Sequence, residues 1–233
     1  MPGKMIYYQQ LAEAMTRQIA GDPQEWARFL TTAARLYKYP YHEQLLIYAQ
    51  RLDATACAGY DLWNNTMHRY VRRGSKGIAL LSPTAHGVQL RYVFDVADTG
   101  RGRDAREPFL WSLDGESIPA VQSALAEAYD ESAGTSISEQ LHQAAQQVTE
   151  NYFAEHAQEL SDILAESSAT SYDEDALRGL AAESISYMLA SRCGLQPAAP
   201  AFTDLAPLAG QPKAIEALGV AVSTGSEQVL RQI

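Results

Sequence analysis

Apolar positions in the first sixty residues recur at helical spacing. "YYQQLAEAMTRQIA" (7–20) reads as a helix, and "GDPQEW" then signals a second start. There Asp22 can cap, Pro23 takes the first helical position and Glu25 completes a capping-box-like pattern. Behind it Trp26, Phe29, Leu30, Ala33, Ala34 and Tyr37 fall on one face. "HEQLLIYAQ" (42–50) predicts a third, well-buried helix, and the segment around Leu62 and Trp63 a short one. The period then changes. "HRYVRR" (68–73) alternates, "GSKG" turns, "IALLS" (78–82) is an apolar strand ended by Pro83, and "VQLRYVFDV" (88–96) is a further strand. "DTGRGRDAREP" (98–108) has the composition of an exposed loop.

The second half reads as helix almost throughout: about 116–130, 136–166, 173–192, and one or two helices between 211 and 233. "SAGTS" (132–136) separates the first pair, and Gly194 sits where a helix should end. The last helix has no stop signal, which predicts a piece of a longer polypeptide. The fold class expected is α+β. Helices pack on a small antiparallel sheet of three to five strands confined to 66–112, and a mostly helical part follows. The division falls into residues 1–112 and 113–233.

Composition sharpens that division. The chain has 233 residues, 46% of them hydrophobic, enough for a sizeable core. Its formal net charge is -10. Residues 1–112 hold 14 Lys/Arg against 10 Asp/Glu, a net of +4, and residues 113–233 hold 4 against 18, a net of -14. Such a sign change suggests halves with different partners. Acidic helices that merely keep the second half soluble are the alternative. No stretch approaches a membrane span or a signal peptide. Cys57 and Cys193 show no metal or redox spacing, so two reduced thiols in a cytoplasmic protein is the plain reading.

The positive charge is concentrated in "RYVRRGSKGIALLSP" (69–83), where four cations, Arg69, Arg72, Arg73 and Lys76, fall within eight positions. A hairpin there would offer cations at the spacing of a nucleic-acid backbone, with Gly74 and Gly77 letting the turn approach phosphates. Alternation would put Arg69 and Arg73 on one face and Arg72 on the other. Nearby aromatics, above all Tyr39, Tyr41 and Trp63, with Tyr37, Tyr48 and Tyr70, are candidates for stacking unpaired bases. A core role is the competing reading for them, and it is preferred for Trp26, Phe29 and Trp63.

Three stretches in order, "WARFLTTAARLYKYPYHEQLLIYAQRLDATACAGYDLW" (26–63), "RYVRRGSKGIALLSP" and "YVFDVADTG" (92–100), resemble the N-terminal single-stranded-DNA-binding domain of the ArdC-like antirestriction proteins of plasmids and conjugative elements. The likeness covers about residues 6–100. It implies a module of a mobile element whose partners are single-stranded DNA and other conjugation or restriction proteins. Pro40 and Glu43 stand where that family usually has Ser and Asn, which would put a carboxylate near phosphates.

In that family the second half is a zinc-metallopeptidase-like domain. "LRGLAAESISYMLASRCGL" (177–195) resembles a later helix of it, in which Glu183 would match a zinc ligand. The companion His-Glu-x-x-His is absent. "HQAAQQVTENYFAEHAQELSDIL" (142–164) offers His156 and Glu159 three apart with no second His at ligand spacing. His156 and Glu183 are therefore vestigial candidates, no cofactor is implied, and the expected function is non-catalytic binding of single-stranded DNA. The alternatives are a metallopeptidase of unusual ligation and an acidic protein-interaction domain that mimics DNA charge.

Overall fold

The computed structural model describes residues 2–85, 87–129, 136–166, 174–196, 202–208 and 210–233, an α+β fold with helices before and after small antiparallel sheets. The expected break over 132–135 lies outside the described residues, as do the expected helix ends at 130 and 173.

Helix α1 spans Pro2–Gly21 and α2 spans Pro23–Arg35. The start of α2 follows its sequence signals. Asp22 is extended and accepts from the Gln24 N–H at 2.8 Å, with Pro23 next. Glu25 does not close a capping box. Its carboxylate, 7% exposed, accepts instead from the Tyr48 hydroxyl at 2.6 Å and from Arg28. The apolar stripe of α2 lies against α7 (Glu174–Arg192), where the Trp26 indole donates to Ser184 at 3.0 Å.

Helix α3 (Tyr41–Gln50) is apolar on two sides and joins two cores. Leu45 and Tyr48 belong to the main core; Leu46 and Ile47 belong to a smaller one with Ile78, Leu80 and Val93 of the strands. The main core takes residues from α1–α3 and equally from α5 (Ile137–Glu155), α7 and α8 (Pro212–Leu230). The halves that charge separates at residue 112 thus share one apolar interior.

Strands β1 (Cys57–Gly59), β4 (Gly87–Asp95) and β3 (Ile78–Thr84) form one antiparallel sheet in that order. Strands β2 (Arg69–Val71) and β5 (Thr99–Arg101) form another. This corrects three expectations. β1 lies outside 66–112, β5 falls in the segment read as a loop, and β2 pairs with β5 rather than β3, so residues 69–83 are not a hairpin. Buried Asp95 ties the sheets to the chain before β1: it accepts from the Thr55, Ala56 and Ala97 N–H groups at 2.7, 3.2 and 2.9 Å.

Helix α4 covers Ile118–Tyr129. The single helix expected over 136–166 is two, because α5 ends before His156 and α6 begins at Ala157 (Ala157–Glu166). Ser136 and Glu139 form the capping box at the start of α5. Helix α7 ends near Gly194, whose φ of 71° suits a left-handed terminus. A 3₁₀ segment, Thr203–Leu208, precedes α8, which is one continuous helix.

Candidate nucleic-acid interface

The basic segment is the connection that leaves the β2–β5 ribbon and enters the three-stranded sheet. Arg72 N–H donates to the Asp98 carbonyl at 2.9 Å, Ser75 Oγ to the same carbonyl at 3.3 Å, and Ser75 N–H to the Arg72 carbonyl at 3.1 Å. Gly74, at φ 90°, supplies the one backbone conformation in this turn that side chains resist. Gly77 faces the Tyr92 and Phe94 side chains rather than open space, so it serves packing and not phosphate approach.

The four expected cations part company. Arg69 is 6% exposed; its Nε donates to Thr99 Oγ1 at 2.8 Å and its Nη1 to Glu107 at 3.0 Å. It pins the ribbon to the chain beyond and is spent there. Arg72, Arg73 and Lys76 are exposed, and Arg72 makes only a backbone contact, to the Ala97 carbonyl at 3.0 Å. None of the three has an ion-pair partner among the described residues.

Pairing with β5 adds cations that the linear reading left in a loop. Arg69 stands opposite Arg101, Gly102 N–H donates to the His68 carbonyl at 3.1 Å, and Arg106 N–H to the Met67 carbonyl at 2.8 Å. Exposed Arg101, Arg103 and Arg106 therefore lie at the end of the ribbon opposite to that of Arg72 and Arg73. Among the described residues only Arg101 of these additions holds a carboxylate, Glu107 at 2.7 Å.

The aromatic expectations divide as well. Trp63, 2% exposed, donates its indole N–H to the Phe94 carbonyl at 2.8 Å from a π-helical turn, Leu62–Thr66. Tyr41, 3% exposed, lies against α8 where a side chain at Gly219 would overlap its ring. Burial pushes its hydroxyl well above the ordinary phenol range. Tyr39 is half-buried and donates to the Cys57 carbonyl at 2.6 Å. In this conformation Tyr41 and Trp63 offer no face to a ligand. Tyr70 does. It is 54% exposed and its ring overlies Gly100, the cross-strand partner, where any Cβ would collide with it. An open depression of about 530 Å³ is bordered by Tyr70, Arg72 and Arg101. The alternation of β2 put Tyr70 outward; its support by Gly100 was not legible locally.

Glu43 is not near a ligand surface. It is 6% exposed and receives Arg91, which also donates to Ser82 at 2.7 Å. The carboxylate therefore carries its own counterion.

In the helical part, His156 caps α5. Its ring stacks on Tyr152, with centroids 4.1 Å apart, and its Nδ1–H donates to the Tyr152 carbonyl at 2.9 Å. Glu183 sits midway along α7, next to the Ser184 that receives Trp26. Among the described residues no three His, Cys, Asp or Glu side chains come together as a metal site, so this donor set does not fit a zinc centre. The Cys57 thiol lies 3.8 Å from Asp95; burial, then that carboxylate, pushes its pKa far up. No described helix is long and apolar enough to cross a membrane.

No protein-family profile matches the chain, and neither does any curated protein or solved structure.

Proposed function

We propose that this protein binds single-stranded nucleic acid on the β2–β5 ribbon and the turn that follows it, without catalysing a reaction. The observation that carries the reading is one exposed aromatic ring, Tyr70, amid exposed cations without counterions among the described residues: Arg72, Arg73 and Lys76 on one strand's exit, Arg103 and Arg106 beyond the other. Cations meeting a polyanion release its condensed counterions, and an aromatic face accepts any base. The resemblance of residues 26–63, 69–83 and 92–100 to the DNA-binding part of ArdC-like antirestriction proteins supports the same surface, and with it a role in a mobile genetic element.

Fluorescence anisotropy with a labelled strand of about 25 nucleotides, beside its duplex, tests this. The single strand binds more tightly, because stacking needs an unpaired base. Tyr70→Ala then weakens it by about 1–3 kcal/mol, at least fivefold. Equal binding of duplex and single strand, or a Tyr70→Ala protein that binds like wild type, removes the stacking claim. No binding at low salt removes the whole reading.

A further inference from the structure

A second concave site lies apart from the ribbon. A half-open cleft of about 370 Å³ is bordered by the end of α2, β1, residues 108–111 and the chain around the final turns of α7 and α8. Neither Tyr70 nor Arg72, Arg73 or Lys76 lines it. Its walls carry four aromatic rings, Tyr37, Tyr39, Phe109 and Trp111, and three cations, Arg35, Lys38 and Arg192, with no Asp or Glu among the lining residues. In a chain of net charge -10, a concave space bordered by three cations and by no Asp or Glu needs a reason.

Arg192 is the most telling of these groups. Its guanidinium lies between two rings, 5.8 Å from the Tyr37 centroid and 5.4 Å from the Trp111 centroid. It donates to the Trp111 carbonyl, while its Nε is buried and makes no hydrogen bond. Lys38 sits 5.5 Å from the Tyr37 centroid, and Arg35 is held by the Ala54 carbonyl at 2.9 Å and by Thr32 at 3.3 Å. None of the three has an ion pair among the described residues. Taking a cation out of water without a counterion is costly, and burial accordingly pulls the Arg192 pKa below its ordinary value. The aromatic faces offset part of that cost. An anion would offset the rest.

We propose that this cavity binds a nucleoside monophosphate group, with the phosphate taken by Arg192 and Lys38 and the base by the aromatic wall. Guanidinium groups recognise phosphate through paired N–H donors, and planar walls recognise a planar base. The volume lies at the lower end of ligand pockets, about 300–1,000 Å³, which suits one nucleotide rather than two. Such a group occurs free in solution or as the phosphorylated end of a strand.

Calorimetric titration of the whole chain with AMP, adenosine, inorganic phosphate and 4-hydroxybenzoate tests the assignment. AMP binds, and adenosine and phosphate each bind at least about tenfold more weakly, since each meets half of the site. Arg192→Gln lowers AMP affinity by about tenfold with an unchanged circular dichroism spectrum. Lys38→Ala, at an exposed position that cannot disturb the core, lowers it severalfold. These titrations are repeated on the Arg72→Ala, Arg73→Ala, Lys76→Ala protein, which keeps its AMP affinity whatever becomes of strand binding. In that background a 5′-phosphorylated oligonucleotide that displaces AMP identifies strand ends as the source; one that does not identifies the free nucleotide. The proposal is overturned if AMP fails to bind at millimolar concentration, if both the Arg192 and Lys38 variants bind it like wild type, or if 4-hydroxybenzoate binds more tightly than AMP.

Discussion

Two arginines of the helical part, Arg178 and Arg231, and the three cations that follow the ribbon, Arg72, Arg73 and Lys76, meet opposite fates. Arg178 is surrounded from its own helix by Glu174 at 2.6 Å and Asp175 at 3.2 Å, and Arg231 is held by Glu227 at 2.6 Å. These are neighbours at three and four residues, where a helix brings side chains together without any help from the rest of the fold. Around the ribbon the arginines split in two. Arg69, Arg91 and Arg51 reach carboxylates far along the chain, Glu107, Glu43 and Asp98, and hold the sheets in place. Among the described residues Arg72, Arg73 and Lys76 reach none. Density of positive charge in a sequence therefore says little about which charges a polyanion can meet; the availability of carboxylates in space decides it.

The largest expected effect separates the aromatic groups of the two regions. Trp26→Ala removes a fully buried indole and its bond to Ser184, and costs about 3–5 kcal/mol in chemical denaturation. Tyr70→Ala, at an exposed ring, stays within about 0.5 kcal/mol. A large cost at Tyr70 would show that its ring is structural and break the contrast.

Next comes the buried carboxylate of the sheet region. Glu43→Gln leaves Arg91 without its partner and costs about 1.5–3 kcal/mol. Adding Arg91→Leu recovers part of that loss, because the orphaned charge is gone. Simple additivity of the two substitutions, again by denaturation, would show that the pair is not coupled.

A smaller effect is read by pH. Burial opposes ionisation of Glu25, but the Tyr48 and Arg28 hydrogen bonds outweigh it and hold its carboxyl below the usual range. A carboxyl lowered in the folded state stabilises fully above the unfolded pKa of about 4.3, and that stability is lost as pH falls through the lower folded value. Glu25→Gln flattens the acid limb of the stability profile in that window. An unchanged limb would mean that Glu25 titrates alike in both states.

Smallest of all, replacing Arg72, Arg73 and Lys76 together by Ala changes stability by no more than about 0.5 kcal/mol, since exposed unpaired cations hold nothing in place. A greater loss would assign the turn a structural role.

What the sequence revealed follows the range of the interactions. Asp22 and Pro23 announce α2 because a cap acts within three residues, and the β3–β4 pairing follows from two strands close in sequence. The misassigned role of Glu25 has a longer reach, for Tyr48 lies 23 residues away and competes for the carboxylate. The β2–β5 ribbon joins segments separated by the whole β3–β4 unit, and three-residue strands carry too few alternations to be seen. The candidate site suffered the same limit. Arg72, Arg73 and Lys76 were legible as charge, whereas the withdrawal of Arg69 depended on Glu107, 38 residues on. Tyr41 and Trp63 were lost as stacking candidates to partners on α8 and β4. The helix expected through 136–166 breaks at His156 without a Gly or Pro to announce it.

The most direct measurement is the salt dependence of single-strand binding for three proteins: wild type, the Arg72, Arg73 and Lys76 triple-alanine variant, and an Arg178→Ala, Arg231→Ala control. Each phosphate neutralised on a single strand contributes about 0.7 to the slope of log affinity against log salt, so Arg72, Arg73, Lys76, Arg103 and Arg106 together give a slope of about -3.5 for wild type, about -2 of it from the first three. The control, whose cations already have carboxylates, keeps that slope, and the triple variant loses most of it. A triple variant with the wild-type slope, or a control that loses it, would contradict the claim that unpaired cations on the ribbon and its turn are the ones that meet nucleic acid.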